Sequence, residues 1–119
     1  MNEFKFIAEE KTFVVEVEGK KLCVSFEEKH LPWREAQRWC KENGGGDESV
    51  ANLRLLSKYR EQINKELDAL DKEELGGWYW SNEPSYISPD SAAFVVDLHF
   101  GDVFSINQYG NYVRAVSAL

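Results

Sequence analysis

The chain has 119 residues, 43% hydrophobic and 29% charged, enough for one globular domain that buries roughly two-thirds of its unfolded surface without metal or disulfide staples. Fourteen Lys and Arg against 21 Asp and Glu give a net charge of −7, and no basic cluster is free of interleaved acids, so nucleic acid and membrane surfaces are not expected partners. The opening MNEFKFIAEEKTF is charged where a signal peptide needs an apolar run, and no stretch reaches transmembrane length, so a cytoplasmic location is the default expectation, with phage-encoded origin or unconventional export as alternatives.

In chain order, FKFI predicts a short edge strand, and TFVVEV and KLCVSF flank Glu18-Gly19-Lys20 as a hairpin over about 12–26. Leu22, Val24 and Phe26 fall on one face at a period of two, with Cys23 and Ser25 on the other. Pro32 suits the first turn of a helix, and WREAQRWC spaces Trp33, Ala36, Trp39 and Cys40 helically, so a helix over about 32–43 is expected to bury both tryptophans. NGGGDES ends it, because three glycines cannot hold a helix. Ser57 is the expected N-cap of a second helix, about 58–70, with the stripe Tyr59, Ile63, Leu67 and Leu70.

In GGWYWSNEPS, Trp78 and Trp80 share one face of an extended segment. Both are expected in the core, with Tyr79 opposite and half-exposed. From Phe94 the alternation Phe94, Val96, Leu98, Phe100 predicts a strand, Gly101-Asp102 a two-residue type II′ turn, and Val103 to Ile106 the return. The polar NQYGN then leads to a last strand, YVRAVSA, so strands occupy about 94–117. Strands, two helices and strands again spell a single α+β domain over 1–119.

Little in this pattern looks like catalysis. His99 sits in an alternating strand beside Asp97, His30 precedes a helix, and neither is spaced with a serine, cysteine or carboxylate as a catalytic pair. Cys40 lies on an apolar helical stripe where a buried thiol is inert. Cys23 and Cys40 have neither CxxC nor metal spacing and are expected as reduced thiols.

Five pieces in order, Trp33-Ala36-Trp39-Cys40, NLRLLSKYREQI from Asn52, GWYWSNE from Gly77, Ala93 with VDLHFGDV, and YVRAV from Tyr112, resemble the Lcl C-terminal domain-like family of small bacterial domains over residues 31 to 117. The resemblance implies a C-type-lectin-like fold, with twisted antiparallel sheets and two helices packed against them. Leu53, Leu56 and Asn82 stand where the family has Trp, Pro and Ser, which marks a divergent member whose ligand need not be that of its relatives. The fold also hosts formylglycine-generating oxidases, but their reactive cysteine pair is not recognisable here.

By that resemblance the chain is expected to be a non-enzymatic module that binds a protein or glycan. The corresponding surface is Tyr79, Ser81, Asn82, Glu83, Tyr86, Asn107, Gln108, Tyr109 and Asn111, where Tyr supplies contact area at low entropy cost and Asn and Ser supply adaptable hydrogen bonds. The alternative is a structural or assembly subunit of a phage or cell surface that buries the same face in an oligomer; the oligomeric state is left open. NEPS at 82–85 is similar to the Glu-Pro-Asn calcium element of sugar-binding lectins, but calcium needs about six to eight oxygen ligands. Glu83 and Asp90 supply too few, so no cofactor or metal is expected. Arg114, where the family carries an arginine, and Arg54 between leucines are read as buried structural ion pairs, joining Trp33, Trp39, Trp78 and Trp80 as framework residues.

Overall fold

The computed structural model describes residues 3–119. Nine strands and three helices follow one another as β1 (Phe4–Ala8), β2 (Thr12–Val17), β3 (Lys20–Ser25), β4 (Lys29–Leu31), α1 (Trp33–Glu42), α2 (Val50–Lys58), α3 (Arg60–Ala69), β5 (Trp78–Pro84), β6 (Ala92–Asp97), β7 (Asp102–Asn107), β8 (Asn111–Val113) and β9 (Val116–Ala118). They form two sheets, ordered β1-β2-β3-β9 and β4-β8-β5-β6-β7, in an α+β domain. All strand pairs are antiparallel except β5 with β8. Among the described residues no helix is long and apolar enough to cross a membrane.

The β2–β3 hairpin closes on two left-handed residues, Glu18 at φ 50° and Gly19 at φ 77°, the signature of a two-residue type I′ turn. The Glu18 carboxylate then accepts the Tyr59 hydroxyl at 2.8 Å and pairs with Lys58 at 2.6 Å, tying this turn to the junction between α2 and α3. Phe13, Val15, Val17, Leu22 and Val24 point inward from the hairpin. With Leu53, Leu56, Ile63, Leu67, Leu75, Tyr79, Val96, Leu98 and Val116 they make the main core, between the first sheet, α2, α3 and one face of the second sheet.

A second core lies on the opposite face of the second sheet, where Ala36 and Cys40 of α1 meet Trp80, Ala93, Val95, Val113 and Ala115. Because both faces of β5 are covered, Tyr79 and Trp80 are adjacent yet both buried. This corrects the expectation for the aromatic triplet: Tyr79 is 1% exposed, and Trp78, beyond the cover of α1, is 40% exposed. Trp33 and Trp39 are each half-buried at the margin of the second core.

The expected second helix proves to be two helices. Ser49, not Ser57, caps α2 by accepting the Asn52 backbone N–H at 3.1 Å. The inward stripe already begins at Leu53 and Leu56, and Ser57 lies in the last turn with its hydroxyl donating to the Leu98 carbonyl at 2.7 Å. Leu70 falls off the stripe and is exposed, because α3 ends there in a Schellman closure: Lys72 N–H reaches the Leu67 carbonyl at 2.9 Å, with Asp71 at φ 57°. The turn after β6 is also wider than expected. Asp97 faces Asp102 across the ladder, so Leu98 to Gly101 form a four-residue loop, drawn out by the burial of Leu98 and the bond from its N–H to the Gly77 carbonyl at 2.9 Å. The last strand is divided: β8 serves one sheet and β9 the other, with Arg114 and Ala115 at the crossing.

The α1 terminus makes the same closure, with Gly45 N–H on the Cys40 carbonyl at 2.7 Å and Gly44 at φ 80°. Gly45 itself has no room for a side chain, since a Cβ would collide with Glu48 Oε2 and stand 3.0 Å from Ala115 Cβ. Gly45→Ala should therefore cost about 1–3 kcal/mol by overpacking, measured by urea denaturation. Gly76→Ala, whose Cβ would meet nothing within 4 Å, should shift stability by less than about 0.5 kcal/mol.

Candidate binding surface

The residues expected to form one recognition face divide into a buried group and an open one. Tyr79 is buried. Its hydroxyl donates to Glu28 Oε1 at 2.6 Å and accepts the Gly76 N–H at 3.3 Å. The same Glu28 oxygen receives Arg114 Nε at 2.9 Å and Nη2 at 2.8 Å. The remaining Arg114 donors reach the carbonyls of Ser25, Glu73 and Glu74 at 3.3, 3.1 and 3.2 Å. Burial is the main reason the Tyr79 hydroxyl is pushed far above the ordinary phenol range, and its bond to Glu28 adds to this. Tyr79 is therefore a neutral donor inside the framework and cannot touch a ligand.

Ser81 is buried as well. Its hydroxyl donates to the Phe94 carbonyl at 2.8 Å, and its carbonyl accepts Trp33 Nε1 at 2.8 Å and Gln37 Nε2 at 3.2 Å. Asn82 is tied to the segment before α2: its backbone N–H donates to the Glu48 carbonyl at 2.8 Å and its amide to the Gly46 carbonyl at 3.1 Å. Glu83 caps α2 from outside, accepting the Val50 N–H at 2.8 Å, where a carboxylate also meets the positive end of the helix. Asn111 is buried, with its side-chain oxygen on the Tyr112 N–H at 2.7 Å. Arg54 is exposed on the outer side of α2, opposite Leu53 and Leu56, so the expected buried ion pair does not exist there.

The open group sits where β5 leads out to residues 85–91 and β7 to 108–110. Gln108 holds these two loops together. Its backbone N–H donates to the Ser91 carbonyl at 3.0 Å, its side chain to the carbonyls of Pro89 and Ala92 at 3.1 and 3.0 Å, and its carbonyl accepts the Trp33 N–H at 3.1 Å. On this tied base stand Tyr86, Ile87 and Tyr109, exposed by 83, 93 and 84%. The Tyr86 ring meets Phe94 edge-on at 5.0 Å, and exposed Asn107 accepts the Tyr109 N–H at 3.4 Å. Ile87 was not expected from sequence. Its only local signal is an apolar residue following Tyr86 inside a Ser- and Pro-rich turn run.

The groups that could support chemistry are dispersed. His30 meets Tyr112 edge-on at 4.9 Å and His99 meets Phe100 at 4.4 Å; among the described residues neither imidazole hydrogen-bonds to another side chain. Cys23 and Cys40 are both free, and burial, then the neighbouring Glu48 carboxyl, pushes the Cys40 thiol well above its ordinary range, away from the nucleophilic thiolate. Among the described residues no three His, Cys, Asp or Glu converge on a point that could hold a metal. A groove of about 630 Å³ runs past Phe26, Trp39, Asn43 and Lys72, but Lys72 lies 5.0 Å over the Phe26 ring. No protein-family model, curated protein or solved structure matches this chain.

Arg114→Leu takes from Glu28 its cationic partner and should cost about 3–5 kcal/mol, while Tyr79→Phe removes the bond to that carboxylate and the acceptor of the Gly76 N–H and should cost about 1.5–3 kcal/mol; urea denaturation measures both. Glu48 is fully buried, with Oε2 on the N–H groups of Gly46 and Val116 at 2.8 and 2.7 Å and Oε1 without a hydrogen-bond partner among the described residues. Burial raises its pKa above 4.5, outweighing the bonds from Val116 and Gly46. The folded state then binds the proton more tightly than the unfolded one, so this stability is fully present below pH 4.5 and lost as pH rises through the raised value. Glu48→Gln keeps an acceptor for both N–H groups, and its melting temperature should gain on the wild type as pH rises across that window.

Proposed function

We propose that this chain is a non-enzymatic binding module of C-type-lectin-like architecture that recognises a protein or glycan through the rim formed by Tyr86, Ile87, Asn107 and Tyr109. The architecture is supported by the two-part sheet, by the pairing of the C-terminal strand β9 with the N-terminal hairpin, and by helices that pack on the sheets. The observation that carries the function is the exposure of Tyr86, Ile87 and Tyr109 on loops pinned by Gln108. A side chain held in water on a pre-ordered base loses little entropy when a partner covers it, and tyrosine is enriched among residues that dominate binding energy.

Tyr79, Ser81, Glu83 and Asn111 are outside this rim and serve to position it. The recognition reading is tested by glycan-array and protein-array binding of the wild type and of Tyr86→Ala/Tyr109→Ala. Loss of two central aromatics should weaken a bound ligand by at least about tenfold with little change in melting temperature, since both rings are already solvated. Equal binding by the double variant would overturn the assignment. A homodimer at micromolar concentration in light scattering, dissolved by the same variant, would assign the rim to self-assembly instead.

A further inference from the structure

None of the fourteen Lys and Arg lies between Glu73 and Val113, a stretch that carries Glu73, Glu74, Glu83, Asp90, Asp97 and Asp102. This stretch builds β5 to β8, and β7 is the outermost strand of its sheet. One side of β7 pairs with β6 without a break from Asp102 to Asn107. On the other side no strand follows among the described residues, so alternate residues turn their N–H and C=O groups outward. Protein edges are commonly blunted by lysine, proline, a bulge or a covering element; the sequence DVFSIN has no lysine or proline, and its ladder has no bulge.

The sheet face beside this edge has a defined chemistry. Trp78, Asp97 and Asp102 are successive cross-strand partners, and the next row on the same face is Trp80, Val95 and Phe104. Trp80 and Val95 lie under α1. Trp78 and Phe104 remain 40 and 39% exposed and stack with ring centroids 4.9 Å apart. Two carboxylates directly opposite each other destabilise a sheet, and among the described residues neither Asp97 nor Asp102 pairs with a cation.

We propose that the free edge of β7 accepts an extended segment of another protein, with basic residues on one face and apolar residues on the other, as an added strand. Its backbone completes the outward hydrogen bonds of β7. Its arginine or lysine side chains meet Asp97 and Asp102 and lie over the exposed Trp78–Phe104 stack, an arrangement that favours a guanidinium. Its apolar side chains pack on the opposite face against Val103, which is 37% exposed. A second copy of the chain is the poorer occupant, since it brings another net charge of −7 and its own Asp102. This surface meets the loop rim at Asn107, the last residue of β7, but uses none of the rim's side chains.

The probe is a short fluorescent peptide alternating arginine and valine, titrated against the intact protein by anisotropy. Saturable binding that weakens with added salt is expected, with at least about tenfold loss in Asp97→Asn/Asp102→Asn. That variant should melt no lower than the wild type, because it relieves a like-charge pair. The same peptide methylated on alternate backbone nitrogens should lose binding, and Tyr86→Ala/Tyr109→Ala should leave it within about twofold, well under the tenfold step. Absence of binding, equal binding of a glutamate–valine peptide, undiminished binding of the methylated peptide, or no effect of the double asparagine variant would each overturn the proposal. So would a β7-mediated dimer that the peptide does not dissociate.

Discussion

One carboxylate oxygen organises the centre of the domain. Glu28 Oε1 receives Arg114 twice and the Tyr79 hydroxyl once, so three remote parts of the chain meet at a single acceptor. Arg114 stands where the chain leaves β8 in one sheet for β9 in the other, and its other donors bind carbonyls at the end of β3 and in the approach to β5. A guanidinium has five donors in a fixed fork and no acceptor. Its burial therefore demands that all these carbonyls arrive together. Hydrophobic burial supplies most of the driving force for such a domain, but it is non-directional. The Glu28–Arg114–Tyr79 cluster adds the direction, fixing how the two sheets are joined.

Glu48 performs a similar task nearby with a different balance. Its carboxyl binds Gly46 and Val116 backbone N–H groups beside Gly45, which has no room for a Cβ. The end of α1, the entry to α2 and the start of β9 are thereby drawn to one point. Among the described residues the carboxyl has no cationic partner, and burial shifts it toward the protonated form, whereas Glu28 has Arg114. Two acids thus hold the same sheet junction by opposite electrostatic routes.

The local elements were legible in the sequence where one period dominated. The hairpin, α1 and the α+β order follow from alternation, helical spacing and glycine breaks. The failures share a cause. A period-two reading assumes one buried face, yet β5 is covered on both faces, so Tyr79 and Trp80 are both core and the row position of Trp78, beyond α1, decides its exposure. The same long-range fact joined the site residues wrongly. Ser81, Asn82 and Glu83 are polar and lie near a strand end, which resembles a binding loop, but their partners include distant carbonyls and N–H groups that no local pattern reveals; Asn111 bonds to the adjacent Tyr112 N–H and is buried by the strands around it. Arg54 and Arg114 each sit among apolar neighbours in sequence; only the helix face of one and the sheet crossing of the other separate them.

The tied and open polar residues also explain why the exposed aromatics need not collapse onto the core. Gln108 ties its loop to the Pro89 and Ser91 carbonyls, to β6 at Ala92 and to α1 at Trp33, while Tyr86, Ile87 and Tyr109 stand exposed on the loops it joins. The exposed stack of Trp78 on Phe104 is fixed in another way, by neighbouring positions on a hydrogen-bonded ladder. In both places the scaffold leaves aromatic surface in water. That residual surface is a cost to the isolated domain, and a partner that covers it recovers that cost without first having to order the loop or the strand.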